Sequence, residues 1–310
     1  MSFWNNFKKP IYALAPIAGI TNSPFRLICK EYGADVVYSE MTSADALHFK
    51  SKKTLAMLKF DQNELPLVIQ LFGKDPEKFK TAAKIVEASG ASGVDINFGC
   101  PAHKVVAHGG GVTLMKDLNL CYSIIQTTCE NTKLPVAVKI RTSIKDNDKE
   151  ITALNFLKKI ADLPVACVMI HGRSYEQGFN GEIDYQMIKK ARKYFKGIIL
   201  ANGGINDLKS AKETLNKTQA DGVGLARGLY GKPWLFNEIK IGYKPSWEEI
   251  KQIILKHANY SNKILGKHGI IEMRKHLLWY VKGLRNAKDL RKDLVKVKNI
   301  KDIKSALEKI

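Results

Sequence analysis

The chain has 310 residues, 45% of them hydrophobic, with a mean hydropathy of −0.20, enough to bury a large core in one big domain or in one big and one small. No apolar run approaches the ~20 residues of a membrane span and no charged leader with an apolar stretch opens the chain, so a cytoplasmic protein without a membrane partner is expected. Fifty basic against 30 acidic residues leave a net charge of +20, which predicts attraction to polyanions, nucleic acid first.

Short β-rich apolar runs recur at 11–15, 36–39, 67–71, 93–97, 135–140, 165–171, 197–202 and 222–226. Amphipathic stretches of helical spacing lie between most of them, clearest at 76–88, 118–130, 151–160, 185–194 and 208–215. This alternation predicts an α/β fold, a (β/α)8 TIM barrel. An open doubly wound sheet would need a Gly-x-Gly-x-x-Gly turn after an early strand, and none is present. After Gly242-Tyr243-Lys244-Pro245 the texture changes. Ser246-Trp247-Glu248-Glu249 reads as a helix cap, and no β-rich run follows. The expected division is a barrel over 1–244 and a small all-helical domain over 245–310. That tail holds 16 basic and 7 acidic residues, a net +9 of the total +20.

Barrels place their chemistry at the C-terminal ends of the strands. Those ends carry Pro16-Ile17-Ala18, Glu40, Gln70, Asn97 with Cys100, Lys139 with Arg141, His171 with Arg173, Asn202-Gly203-Gly204 and Ala226-Arg227-Gly228. The seventh and eighth ends supply backbone N–H groups and a cation, where barrels commonly hold a phosphate. Lys139 reads either as a group for the polar edge of a ligand or as an ion-paired strand end. Of five scattered cysteines (29, 100, 121, 129, 167), none forms a Cys-x-x-Cys pair or a Cys/His metal spacing, so free thiols and no metal are expected. Cys100 stands in Asn97-Phe98-Gly99-Cys100-Pro101, followed by Gly109-Gly110-Gly111. It reads either as a thiol presented to substrate beside a flexible glycine lid, or as a buried structural cysteine.

Several segments together resemble the tRNA-dihydrouridine synthases, and the bacterial B type in particular. They are Ala15-Pro16-Ile17-Ala18-Gly19-Ile20-Thr21 with Pro24-Phe25-Arg26, the Cys100 motif with Lys104-Val105 and Leu114-Met115, His171-Gly172-Arg173, Asn202-Gly203-Gly204-Ile205, and Ala226-Arg227-Gly228 with Pro233-Trp234. In the tail, Met273-Arg274-Lys275-His276 through Trp279-Tyr280 is similar to a segment of that family's helical tRNA-binding domain. The resemblance implies an FMN-bound barrel that reduces the C5–C6 bond of uridine in tRNA with NADPH. It implies FMN contacts at Pro16, Ile17, Ala18, Gln70, Lys139, His171, Asn202, Gly203, Gly204, Ala226 and Arg227, with Cys100 as the catalytic residue. Ile17 stands where methionine is usual in that family, and Gly204 replaces a common aspartate, so only its amide remains to bind.

The chemistry accommodates these groups. A hydride delivered from the flavin to C6 of uracil leaves enolate character at O4 and C5, and C5 is then protonated by a positioned acid. A cysteine, mostly protonated at neutral pH with an unperturbed pKa of ~8.5, suits that role. Covalent attack by Cys100 on C6 competes with it but occupies the carbon the hydride needs. Asn97, Lys104, Arg141 and Arg173 are read as substrate-binding, and Arg274 and Lys275 as facing tRNA phosphates. Trp279 and Tyr280 read either as stacking surface for RNA or as core. A small-molecule flavin barrel resembling dihydroorotate dehydrogenase, or a non-catalytic RNA-binding protein, are the alternatives. The basic tail argues against the first, and the ring of polar strand ends argues against the second.

Overall fold

A computed structural model describes residues 2–285 and 287–309. Eight strands form the barrel: β1 (Ile11–Leu14), β2 (Val36–Tyr38), β3 (Leu67–Phe72), β4 (Gly93–Phe98), β5 (Val136–Arg141), β6 (Val165–His171), β7 (Ile198–Asn202) and β8 (Gly222–Leu225). All neighbours are parallel, and β8 pairs back onto β1 with Ile11 opposite Gly222 and Leu14 opposite Leu225. The remaining pairings run β1–β2, β2–β3 and so on round to β7–β8, so the sheet closes. Closure is tight at Gly222, where a Cβ would lie 2.1 Å from the Ile11 carbonyl oxygen. Strands enclosed on both faces need apolar residues at nearly every position, which is why each reads as a continuous run.

Helices α1 (Ser23–Glu31), α2 (Pro76–Ala88), α3 (Leu118–Glu130), α4 (Ala153–Lys159), α5 (Tyr185–Ala191), α6 (Leu208–Thr218) and α7 (Leu235–Ile241) surround the barrel. Side-chain caps from Asn22, Asp75, Asp117, Thr152, Asp184 and Asp207 start six of them. The apolar faces of the helices and the outward residues of the strands make one core. A second core fills the barrel interior with Ile11, Ala13, Val36, Tyr38, Cys167 and Met169 among others. Trp4, only 2% exposed, belongs to this interior core and lies on a short turn before β1.

Two local features differ from the expected pattern. The helix read at 151–160 begins at Ala153, because Ile151 and Thr152 belong to an antiparallel hairpin of Ser143–Asp146 with Lys149–Thr152. A short strand at Thr42–Ser43 also joins the edge of β3.

From Trp247 onward the chain is helical: α8 (Trp247–Tyr280), α9 (Ala287–Leu294) and α10 (Ile300–Leu307). Ser246 and Glu249 form a capping box at the start of α8. At Gly266 (φ 61°, ψ −149°) α8 leaves helical geometry, and its two arms fold back on each other. Ser261 thus meets Met273, and His257 meets Tyr280. The apolar cluster of this region includes Ile28 of α1 and Trp234 just ahead of α7, so the barrel contributes side chains to the core of the tail.

Candidate active site

The C-terminal ends of the strands converge on a cavity of about 730 Å3. Pro16, Ile17 and Ala18 after β1, Gln70 of β3, Asn97 of β4 with Cys100 on the turn, and Lys139 and Arg141 of β5 all line it. So do His171 of β6 with Arg173, Asn202 of β7 with Gly203 and Gly204, and Ala226 and Arg227 after β8. Residues scattered over more than 200 positions therefore face one space because each closes a barrel strand. Lys104, Arg274 and Lys275 are not among the lining residues.

Four cations line the cavity, and among the described residues no carboxylate does. Lys139 Nζ donates to Asn202 Oδ1 at 3.1 Å, and Asn202 Nδ2 donates to the Gly224 carbonyl at 2.7 Å. Burial, reinforced by Arg141 nearby, lowers the Lys139 pKa to about 8. Arg141 is a staple. Its Nε donates to the Gly99 carbonyl at 2.9 Å, and its Nη1 donates to the Ser174 and Gly178 carbonyls at 2.8 Å each. It thereby ties the Cys100 turn to the loop after β6, a job that its substrate-binding reading did not include.

Burial and the surrounding Lys139, Arg141, Arg173 and Arg227 drive the His171 pKa down to about 2, so the ring is neutral. Its Nδ1 is buried with no hydrogen-bond partner among the described residues, and so is Nη1 of Arg173. Unsatisfied buried donors and acceptors are costly, so both groups mark places where a polar ligand would bind. Beside them Gly203 and Gly204 adopt φ of 113° and 73°, and a Cβ at Gly203 would stand 3.0 Å from Ile183 and 3.3 Å from the His171 ring.

Cys100 is the one cysteine of the five that lines the cavity; Cys29, Cys121 and Cys167 are buried elsewhere, and Cys129 lies on α3. Cys100 is half-buried and faces the cavity, unlike the fully buried Cys29, Cys121 and Cys167. Asn97 Oδ1 accepts from the backbone N–H groups of Gly99 at 3.1 Å and Cys100 at 2.9 Å. The glycine run is not a loose lid. Val112 N–H donates to the Cys100 carbonyl at 3.1 Å, and Gly111 (φ 63°) lies so close that a Cβ would be 2.6 Å from that oxygen. The glycines let backbone pack on backbone behind the thiol.

Several lining residues escaped sequence reading, among them Met41, Asn206, Tyr230 and Phe179. Phe179, 53% exposed on the loop after β6, lies between the guanidinium carbons of Arg141 and Arg227, 5.6 and 5.0 Å from its ring centre. Only its aromatic character within Gln177-Gly178-Phe179-Asn180 could have drawn attention to it.

The tail residues read as RNA-facing are engaged within the protein. Arg274 donates through Nε and Nη2 to the Val297 carbonyl at 3.0 and 2.8 Å. Lys275 Nζ donates to the Gly19 carbonyl, on the loop that also carries Ile17 and Ala18, and Glu40 accepts from the Gly19 N–H. Asn22 Nδ2 donates to Glu272 Oε2 at 3.1 Å. Tyr280 is buried, and Trp279 stacks on Tyr230, which itself lines the cavity. Lys104 is exposed on the short helix His103–Ala107 beyond Cys100.

The family model "Dihydrouridine synthase (Dus)" matches residues 13–310, nearly the whole chain. The chain belongs to the dihydrouridine synthase family. Among curated relatives, a probable tRNA-dihydrouridine synthase of Rickettsia conorii is 38% identical over 90% of this chain and 86% of its own length. One from Helicobacter pylori is 36% identical over 95% of this chain and 90% of its own. The tRNA-dihydrouridine synthase B of Xanthomonas axonopodis pv. citri is 31% identical over 91% of this chain and 87% of its own. An old yellow enzyme homologue from Zymomonas mobilis shares the fold with a TM-score of 0.57 at 13% identity, covering 79% of this chain and 94% of its own. The protein is thus a TIM-barrel oxidoreductase with an appended helical region. No helix among its described residues is long and apolar enough to cross a membrane.

Proposed function

We propose that the protein reduces the C5–C6 bond of uridine in tRNA to 5,6-dihydrouridine, with FMN in the barrel-mouth cavity and NADPH as reductant. The observation that carries this reading is the convergence of the ends of β1 and β3 to β8 on one cationic cavity in which Cys100 is the sole lining cysteine. The residues fit FMN: the partnerless Nδ1 of His171 and Nη1 of Arg173, four cations without a carboxylate, and the open backbone at Gly203 and Gly204 suit a phosphate-bearing polar ligand. Gly203, Gly204, Ala226 and Arg227 would hold the phosphate. Gln70, Lys139 and Asn202 would meet the polar ring edge, and Pro16, Ile17 and Ala18 would form the shelf beside it. Bound there, FMN supplies the hydride that reaches C6 of the uracil.

The remaining chemistry belongs to the chain. Lys139 and Asn97 donate toward the pyrimidine carbonyls, where negative charge develops. Cys100 Sγ gives its proton to C5, and the thiolate recovers one from water. Arg141 keeps the Cys100 turn in place, while its Nη2, Arg173 and the exposed Lys104 serve the nucleotide phosphates. The uridine must leave the tRNA stack to enter the cavity. Lys275 and the charge of the helical region then hold the rest of the folded RNA, mostly through phosphates.

Mass spectrometry of nucleosides from unmodified tRNA, incubated with the protein, FMN and NADPH, tests the reading. Dihydrouridine from the natural chain but not from Cys100→Ala is expected. NADPH consumption without dihydrouridine would point instead to a small-molecule flavin reductase.

A further inference from the structure

One carboxyl group behind the cavity wall has no part in this reading. Asp95 precedes Asn97 by two residues on β4, so both side chains point to the same face of the strand. It is fully buried, and it does not line the cavity. Its Oδ2 accepts from Gln70 Nε2 at 2.6 Å. Gln70 Oε1 accepts from Asn97 Nδ2 at 3.0 Å, and Asn97 Oδ1 accepts from the Gly99 and Cys100 N–H groups.

A carboxamide is nearly symmetric in shape, so packing alone does not choose which end carries oxygen. Here both ends of the line choose. Two backbone donors at the Cys100 turn require the Asn97 oxygen. Its NH2 then requires the Gln70 oxygen, and the Gln70 NH2 requires an acceptor at position 95. Without that acceptor the Gln70 NH2 is buried with no partner, and the side chain is relieved by rotating out of the line, which withdraws its oxygen from Asn97. Asn97 then loses the bond that fixes its amide plane, and its hold on the turn loosens. We propose that Asp95 is a positioning residue that acts through Gln70 and Asn97 to fix the turn presenting Cys100. The turn's importance to catalysis rests on the function proposed above, whereas the positioning itself does not.

Amide hydrogen exchange of the full-length protein, read by mass spectrometry on peptides spanning Gly99 and Cys100, tests this without tRNA. Asp95→Leu has no acceptor, and those amides should exchange at least about ten times faster. Asp95→Asn keeps an oxygen for Gln70 and should restore protection to within about threefold. Peptides over β6 should not change in either variant, whereas a merely structural role would loosen the whole barrel. Gln70→Met breaks the same line at its middle and serves if Asp95→Leu does not fold. If both fold, the double variant should exchange no faster than the faster single one. Protection as in the natural chain in Asp95→Leu or Gln70→Met, failure of Asn to restore it, or multiplying effects in the double variant would each overturn the proposal. None of these results would bear on dihydrouridine formation.

Discussion

The indole of Trp279 lies flat on the ring of Tyr230, with 4.1 Å between centroids and 7° between planes. Tyr230 lines the cavity, and Trp279 comes from the far arm of α8, so the stack joins the helical region directly to the wall of the site. The approach is close. A Cβ on the neighbouring Gly231 would lie 2.3 Å from the Trp279 carbonyl. Trp279→Ala should therefore destabilise the protein by about 2 kcal/mol in urea unfolding, with Trp279→Phe losing less than half of that. Natural stability with weakened tRNA binding in Trp279→Ala would instead make this ring an RNA-stacking surface.

Gly111 should tolerate no side chain. Its φ of 63° and the 2.6 Å between a Cβ and the Cys100 carbonyl combine strain with a clash. Gly178, at φ 58°, has nothing within 4 Å of its Cβ position and isolates the strain alone. Gly111→Ala should cost about 2–3 kcal/mol and Gly178→Ala about 1 kcal/mol. Thermal unfolding of the two side by side checks the difference, and equal losses would remove the clash from the account.

Three buried histidines should make the protein acid-sensitive. Burial is the main cause in each: it holds the pKa of His171 at about 2 and of His257 at about 3, and that of His276 well below the usual value. Each folded pKa lies below the unfolded value of about 6.5, so the stability is fully present above that pH and is lost as pH falls toward the folded values. The loss has a limiting slope of ~1.4 kcal/mol per pH unit for each histidine. Both ring nitrogens of His276 lack partners among the described residues, and the ring packs against Phe25 and His257. His276→Phe should raise Tm, and by more at pH 5 than at pH 8. Parallel Tm curves for the two proteins would show that His276 does not contribute to the slope.

Lys139 carries its charge below a pKa of about 8 and loses it above. FMN affinity, followed by quenching of flavin fluorescence, should weaken as pH rises through that region. Lys139→Met should bind about tenfold more weakly at pH 7 and show no such fall. A falling limb that persists in Lys139→Met would assign the titration to another group.

The barrel was legible because strands such as β6 and β7 are apolar at nearly every position, a pattern independent of partners far away in sequence. Strand-end residues were legible for a related reason: once the strands are placed, so are Lys139, His171 and Asn202. The hairpin at Ser143–Thr152 was not, because Lys145, Lys149 and Glu150 face solvent and leave no apolar run. The roles of Arg274 and His276 depend on contacts made at a distance. The turn after α9 brings Val297 to the one, the reversal of α8 at Gly266 brings His257 to the other, and no local pattern signals either. Asp95 looked like one more strand residue, since the hydrogen bonds that distinguish it come from β3.

The shared core has a consequence for how the molecule comes apart. Ile28 and Trp234 belong to the barrel by position, yet they pack within the apolar cluster of the helical tail. The change of composition near residue 244 should therefore be a border in sequence texture and not in cooperativity. Heat should melt both regions in a single transition. A fragment ending there would expose Ile28, Trp234 and one face of Tyr230 to water, and should be recovered as aggregate rather than as a working barrel.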